Sequence, residues 1–98
     1  MDNQHRKISG YRELSEKDIA LMNKIKSLGP LIEGAIDDVK AHVASQRKFS
    51  TIDGEVDADA ARSRLDSAQP ERWTAIGTTH FQEGLMALTR AVAQPTFF

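Results

Sequence analysis

Between Ile19 and Val43 the chain sets an apolar residue at every third or fourth position: Ile19, Met22, Ile25, Leu28, Ile32, Ile36, Val39 and Val43. That spacing keeps the side chains on one face of an α-helix, whereas a strand would alternate faces at each residue. Ser15 followed by Asp18 forms a capping box with the shorter acid, and Glu16 and Asp18 suit the positive end of the helix dipole. Arg47 and Lys48 complement the negative end, so the first helix is read as residues 15–48. Gly29-Pro30 interrupts the stripe, because proline has no backbone donor and its ring crowds the Lys26 carbonyl. The stripe resumes in phase, so a kink is expected there and not a stop.

A second helix is read over residues 70–93. Pro70 suits a first helical turn, Ser67 is an available cap, and Glu71 suits the positive end. Its apolar positions are Trp73, Ile76, Phe81, Leu85, Leu88 and Val92, and Ala93-Gln94-Pro95 ends it. Gly77 and Gly84 each cost a helix interior about 1 kcal/mol relative to alanine. Close approach of another helix or of a ligand is the natural compensation. The stretch between the two helices, residues 49–69, is acidic and rich in Asp, Ala and Ser. It is read as a connecting loop with one short helical turn around DADAARSRL. Residues 1–14 form a polar, basic arm broken by Gly10. Residues 1–98 thus make one all-α domain, an antiparallel helical hairpin with a short N-terminal arm.

Composition narrows the function classes. The formal net charge is −1, with 13 Lys and Arg against 14 Asp and Glu, which argues against a partner of polymeric nucleic acid. The absence of cysteine removes disulfides, thiolate metal sites and cysteine nucleophiles, and fits a reducing cytosol. No apolar run approaches the roughly 20 residues of a membrane span, and MDNQHRK lacks the apolar segment of a signal peptide. Two long helices cover only one seam between them, so a chain of 98 residues is expected to assemble with copies of itself.

Catalytic patterns are weak. No glycine-rich phosphate loop, HExxH motif or tuned carboxylate pair is present, and His80 beside Thr78 and Thr79 reads more readily as a structural histidine. Binding patterns are better. Tyr11-Arg12 precedes the first helix while Asn23, Lys24 and Lys26 follow two to three turns in, offering an aromatic plate and cations of the kind that hold a nucleotide without reading a sequence. Spacing alone favours the plainer reading, a solvated lysine face with a half-buried tyrosine. A second group joins Arg72 with Gly77, Thr78 and Thr79, which together supply a guanidinium, a bare backbone and two hydroxyls. The alternative is a glycine that only admits a helix and threonines bonded back to their own helix, and periodicity leaves both open.

The stretches HRKISGYRELSEKDIALMNKIK (5–26) and RWTAIGTTHFQEGLMALTRAVAQP (72–95) resemble the small phage sponges that counter CBASS immunity by sequestering cyclic oligonucleotide signals. Those sponges share a hairpin domain with the phage sponges that counter Thoeris immunity by binding cyclic ADP-ribose isomers. The resemblance implies a homohexamer in the cytoplasm of an infected bacterial host, with no cofactor, no metal and no turnover. It implies cyclic dinucleotide pockets between paired subunits, with Tyr11 and Lys26 matching the binding aromatic and lysine. It also implies separate cyclic trinucleotide pockets near three-fold contacts, matched by Arg72, Gly77, Thr78 and Thr79. Gly29-Pro30, one turn beyond Lys26, departs from the pattern and bears on which dinucleotide is preferred. A sponge for cyclic ADP-ribose isomers, a nucleotide hydrolase and a ligand-free structural hairpin are the competing readings.

Overall fold

The structure, a computed structural model, describes residues 12–97. Its regular elements are helices: α1 (Glu16–Phe49), α2 (Val56–Ala68) and α3 (Pro70–Ala93). Helices α1 and α3 lie side by side as the hairpin, and α2 packs across the end where they are joined. The start of α1 is a complete capping box: the Asp18 backbone N–H donates to Ser15 Oγ at 3.1 Å and the Ser15 N–H donates to Asp18 Oδ2 at 2.9 Å. Two otherwise orphaned donors are satisfied by this exchange. The helix runs on through Pro30 for 34 residues, a length of about 51 Å at 1.5 Å per residue.

The acidic connector is not a loop. Thirteen of its residues form α2, with Glu55 as N-cap and Asp57 and Asp59 in the first turn. Ala58, Ala61 and Leu65 fall at helical spacing and are buried against the end of α1, where Val43 is buried too. Two alanines and one leucine among aspartates and serines carry too faint a periodicity to mark a helix beforehand. The helix is held by packing against α1 and by Arg62, which donates to Asp59 and to the Ser50 carbonyl at 3.1 Å. Ser67 is therefore inside α2 and does not cap α3. The junction is the single residue Gln69, at φ 52° and ψ 56°, which ends α2 and precedes Pro70 with no side-chain cap. A non-glycine residue in the left-handed region is uncommon, and here it redirects the chain between two helices within one residue.

The hairpin shaft is thin. The described residues extend over 67 × 23 × 19 Å with a radius of gyration of 21.1 Å, against about 13 Å for a compact chain of similar length. The buried residues are Val43, Ser50, Ala58, Ala61 and Leu65, all at the α2 end. Along the shaft, Met22, Ile25, Ile32 and Ile36 of α1 are half-buried, while Ile19, Leu28 and Val39 of the expected stripe stay exposed. On α3 the expected apolar positions divide: Trp73 is 59% exposed, Phe81 52% and Leu88 52%, whereas Ile76, Leu85 and Val92 are half-buried. The line facing α1 joins Leu85 and Val92 to Thr74, Thr78 and Thr89, all half-buried. Each threonine hydroxyl donates to the carbonyl four residues back, at 2.7, 2.8 and 2.9 Å for Thr74, Thr78 and Thr89. With its hydroxyl so occupied, a threonine presents its methyl to the seam and packs as a β-branched apolar residue.

Candidate functional site

A helix turns by about 100° per residue, and that rotation sorts the candidate residues of α3 into different faces. Arg72 and Thr79, seven residues apart, share one exposed edge with Met86. Thr78 faces the seam and is already bonded to the Thr74 carbonyl. Gly77 lies roughly on the opposite side from Arg72 and Thr79. The four residues of this group therefore do not converge within one protomer. The glycines do not serve packing inside the chain either: a Cβ added at Gly77 or Gly84 would meet no atom within 4 Å. The helix interior thus carries two costly residues with no return inside the protomer.

On α1 the same rotation places Asn23 and Lys26 on one side and Lys24 roughly opposite, so the expected cluster reduces to the first pair. Lys26 is exposed, on the flank that also carries Glu33, Lys40 and Arg47. Tyr11 and the arm before it lie outside the described residues. Gly29 sits across from Leu85 in one groove, and Val43 across from Thr74 in another. Lys26 is accordingly near the open end of the hairpin and Arg72 near the closed end, about 25 Å apart along the axis.

The two flanks of the shaft differ in chemistry. One carries a groove of about 690 Å³ lined by Lys40, Val43, Ala44, Arg47, Glu71, Thr74, Ala75 and Thr78. The other is an apolar groove of about 230 Å³ between Ala35 and Val39 of α1 and Gly77 and Phe81 of α3. Lys26, Arg72 and Thr79 belong to the polar flank, whereas Gly77 and Gly84 belong to the apolar one.

Two arginine clasps hold the ends of the shaft, and neither is marked by a local sequence pattern. At the closed end Arg47 donates from Nε to Glu71 Oε2 at 2.6 Å, from Nη2 to Glu71 Oε1 at 3.0 Å and from Nη1 to Asp66 Oδ1 at 2.7 Å, tying all three helices together. Its two-pronged grip on Glu71 holds that carboxyl below its ordinary value and raises the guanidinium. At the open end Arg12 donates to Asp18 Oδ2 at 2.9 Å and to the Val92 carbonyl at 2.6 Å, linking the arm to the last turn of α3. Asp18, which also accepts from Ser15, is lowered from 3.8 to about 2, chiefly by the Arg12 hydrogen bond. A sequence hint for Arg47 was its place in the helix C-terminal turn, but carboxylate partners 19 and 24 residues away require the fold.

Little in the described residues suits catalysis. His80 is exposed, with Nδ1 3.7 Å from Glu83 Oε1, beyond hydrogen-bond range. No group of His, Asp and Glu among the described residues is placed to hold a metal ion, and no described helix is long and apolar enough to cross a membrane.

The Acb2/Tad1 hairpin domain matches residues 5–93, a span that includes most of the arm, Lys26 and the Arg72–Thr79 segment. Anti-CBASS protein 2 of Pseudomonas phage JBD67 is 41% identical over 105 residues, covering 97% of each chain.

Proposed function

The chain belongs to the Acb2/Tad1 hairpin family, and from that premise we propose that it is a phage anti-CBASS sponge. It binds cyclic di- and trinucleotide immune signals in the cytoplasm of the infected host and holds them uncleaved, so that the effector is not activated. The observation that carries this reading is likeness along nearly the whole chain to a relative named for countering CBASS. Protection by sequestration follows mass action: the sites must outnumber the signal and bind it more tightly than the effector does.

The protomer's surface is in keeping with an assembly, proposed as a homohexamer. Phe81, Leu88, Leu31 and Val39 are exposed along the shaft, and Gly77 and Gly84 leave backbone bare beside them. Burying this flank against other copies would supply the core that one chain lacks. Lys26, with Tyr11 stacking on a base, serves the dinucleotide pocket between paired subunits. Arg72 and Thr79, with Gly77 and Thr78 contributed from differently oriented faces, serve the trinucleotide pocket. Separation of the two groups along the shaft supports two kinds of site, built by different contacts between subunits.

Incubation with a cyclic dinucleotide, measurement of free ligand, and a second measurement after heat denaturation test the reading. A sponge depletes the ligand and returns it intact. Linear product would mean an enzyme, and no depletion would mean a hairpin that does not capture this ligand. A parallel arm with a cyclic ADP-ribose isomer tests the competing reading of a sponge for those isomers. Capture of that isomer alone would overturn the anti-CBASS assignment.

A further inference from the structure

Among the described residues near the closed end, Arg72 and Arg64 are the arginines without a carboxylate or carbonyl partner, and of the two it is Arg72 that lies against an aromatic ring. Arg47 is committed to Glu71 and Asp66, and Arg62 to Asp59 and the Ser50 carbonyl. Arg72 has no carboxylate or carbonyl partner among the described residues, and its guanidinium carbon lies over the Trp73 ring, 5.1 Å from the centroid. Its natural competitor would be the adjacent Glu71, yet Arg47 grips both oxygens of that carboxylate on the polar flank's inner side. Contact with an aromatic ring uses the face of a guanidinium and leaves its N–H edge free to fork onto phosphate oxygens. Trp73 itself is more than half exposed, so its conformation is not fixed by a core.

We propose that Trp73 is a positioning residue that presents the Arg72 guanidinium to a phosphate of the bound cyclic trinucleotide. The inference rests on the trinucleotide pocket proposed above and adds to it a residue that sequence reading places only in an apolar stripe. Holding the arginine in a binding-ready orientation before the ligand arrives reduces the ordering cost of binding. Trp73 acts through Arg72, so its loss weakens the phosphate contact and not the stacking of a base.

The full-length assembled protein is titrated with cyclic tri-AMP and, separately, cyclic di-AMP, for the parent, Trp73→Leu, Trp73→Tyr and Arg72→Ala. Trp73→Leu is expected to weaken cyclic tri-AMP binding by about 5- to 20-fold, the range of a partly desolvated cation–π contact, and to flatten its salt dependence. Trp73→Tyr, which keeps an aromatic face, restores binding to within about threefold of the parent. Cyclic di-AMP binding and assembly size stay unchanged in both. Trp73 is the single tryptophan of the chain, so its emission changes on adding cyclic tri-AMP and not cyclic di-AMP. An unchanged affinity in Trp73→Leu, a loss with the parental salt slope, or a change in assembly size overturns the positioning role. If Arg72→Ala also binds cyclic tri-AMP like the parent, the pocket itself is lost. If Arg72→Ala fails while Trp73→Leu binds normally, the pocket stands and only the role of Trp73 falls.

Discussion

The two ends of this hairpin are built on different principles. At the closed end Val43, Ala58, Ala61 and Leu65 are buried within one chain and Arg47 ties the three helices together. At the open end the described residues bury no side chain fully, and Arg12 bridges from the arm to α1 at Asp18 and to α3 at the Val92 carbonyl. The lesson is that the buried core and the exposed apolar surface lie in different parts of one small chain. The closed end can be satisfied by the protomer, whereas the shaft and open end leave apolar surface that only neighbours could cover.

The largest expected effect lies at the closed end. Leu65→Ala should cost about 2–4 kcal/mol, the loss of a buried leucine with partial collapse of the space it leaves. Because that core is internal to one chain, the loss should be independent of protein concentration in thermal unfolding. A concentration-dependent loss would show that the closed end also depends on other copies.

Gly84→Leu probes the shaft. It should leave the helical signal in circular dichroism intact and reduce the size of the assembly in sedimentation, since the added side chain meets nothing inside the protomer. Unchanged size would remove Gly84 from any contact between chains. Next in size is Arg47→Met, which releases Glu71 and Asp66. It should lower the melting temperature by a few degrees and speed amide exchange in α2, with α1 between Ile19 and Ile36 little affected. Uniform acceleration along the chain would mean that the two ends do not unfold separately.

The smallest effect concerns acid. Asp18 has its pKa lowered by Arg12 from 3.8 to about 2, so its contribution is complete above about pH 4 and is lost as the pH falls toward 2. Arg12→Ala should therefore change stability little at neutral pH relative to Leu65→Ala, and should make the acid limb between pH 4 and 2 shallower. An acid limb identical to the parent's would mean that the open-end clasp contributes nothing to it.

Much of the hairpin was legible because its signals are local. The Ser15–Asp18 exchange depends on four consecutive residues, and the stripe of α1 repeats often enough to mark a helix through Pro30. Helix α2 was missed because its core is two alanines and one leucine, whose value depends on the α1 surface they meet. The face of α3 was legible only in part, at Leu85 and Val92, for a related reason. Hydropathy ranks Trp73 and Phe81 above Thr74 and Thr78, but back-bonded threonines fit the narrow seam and the rings are left outside. Among the candidate site residues, the exposure of Lys26, Arg72 and Thr79 follows from helical phase, whereas the Arg72–Trp73 contact and the diversion of Glu71 to Arg47 depend on rotamers and on a distant helix. Convergence of Gly77 with Arg72 was not to be found in one protomer, since helical phase sets them on opposite sides.

Gln69, the one residue between α2 and α3, has a mechanical consequence. A single left-handed residue cannot act as a tether, and the proline after it has its own φ fixed. The turn from Ser50 to Glu55 is by contrast the longer connection, and a protease cut there should leave the two pieces held together by Arg47 through Glu71 and Asp66 until they are denatured.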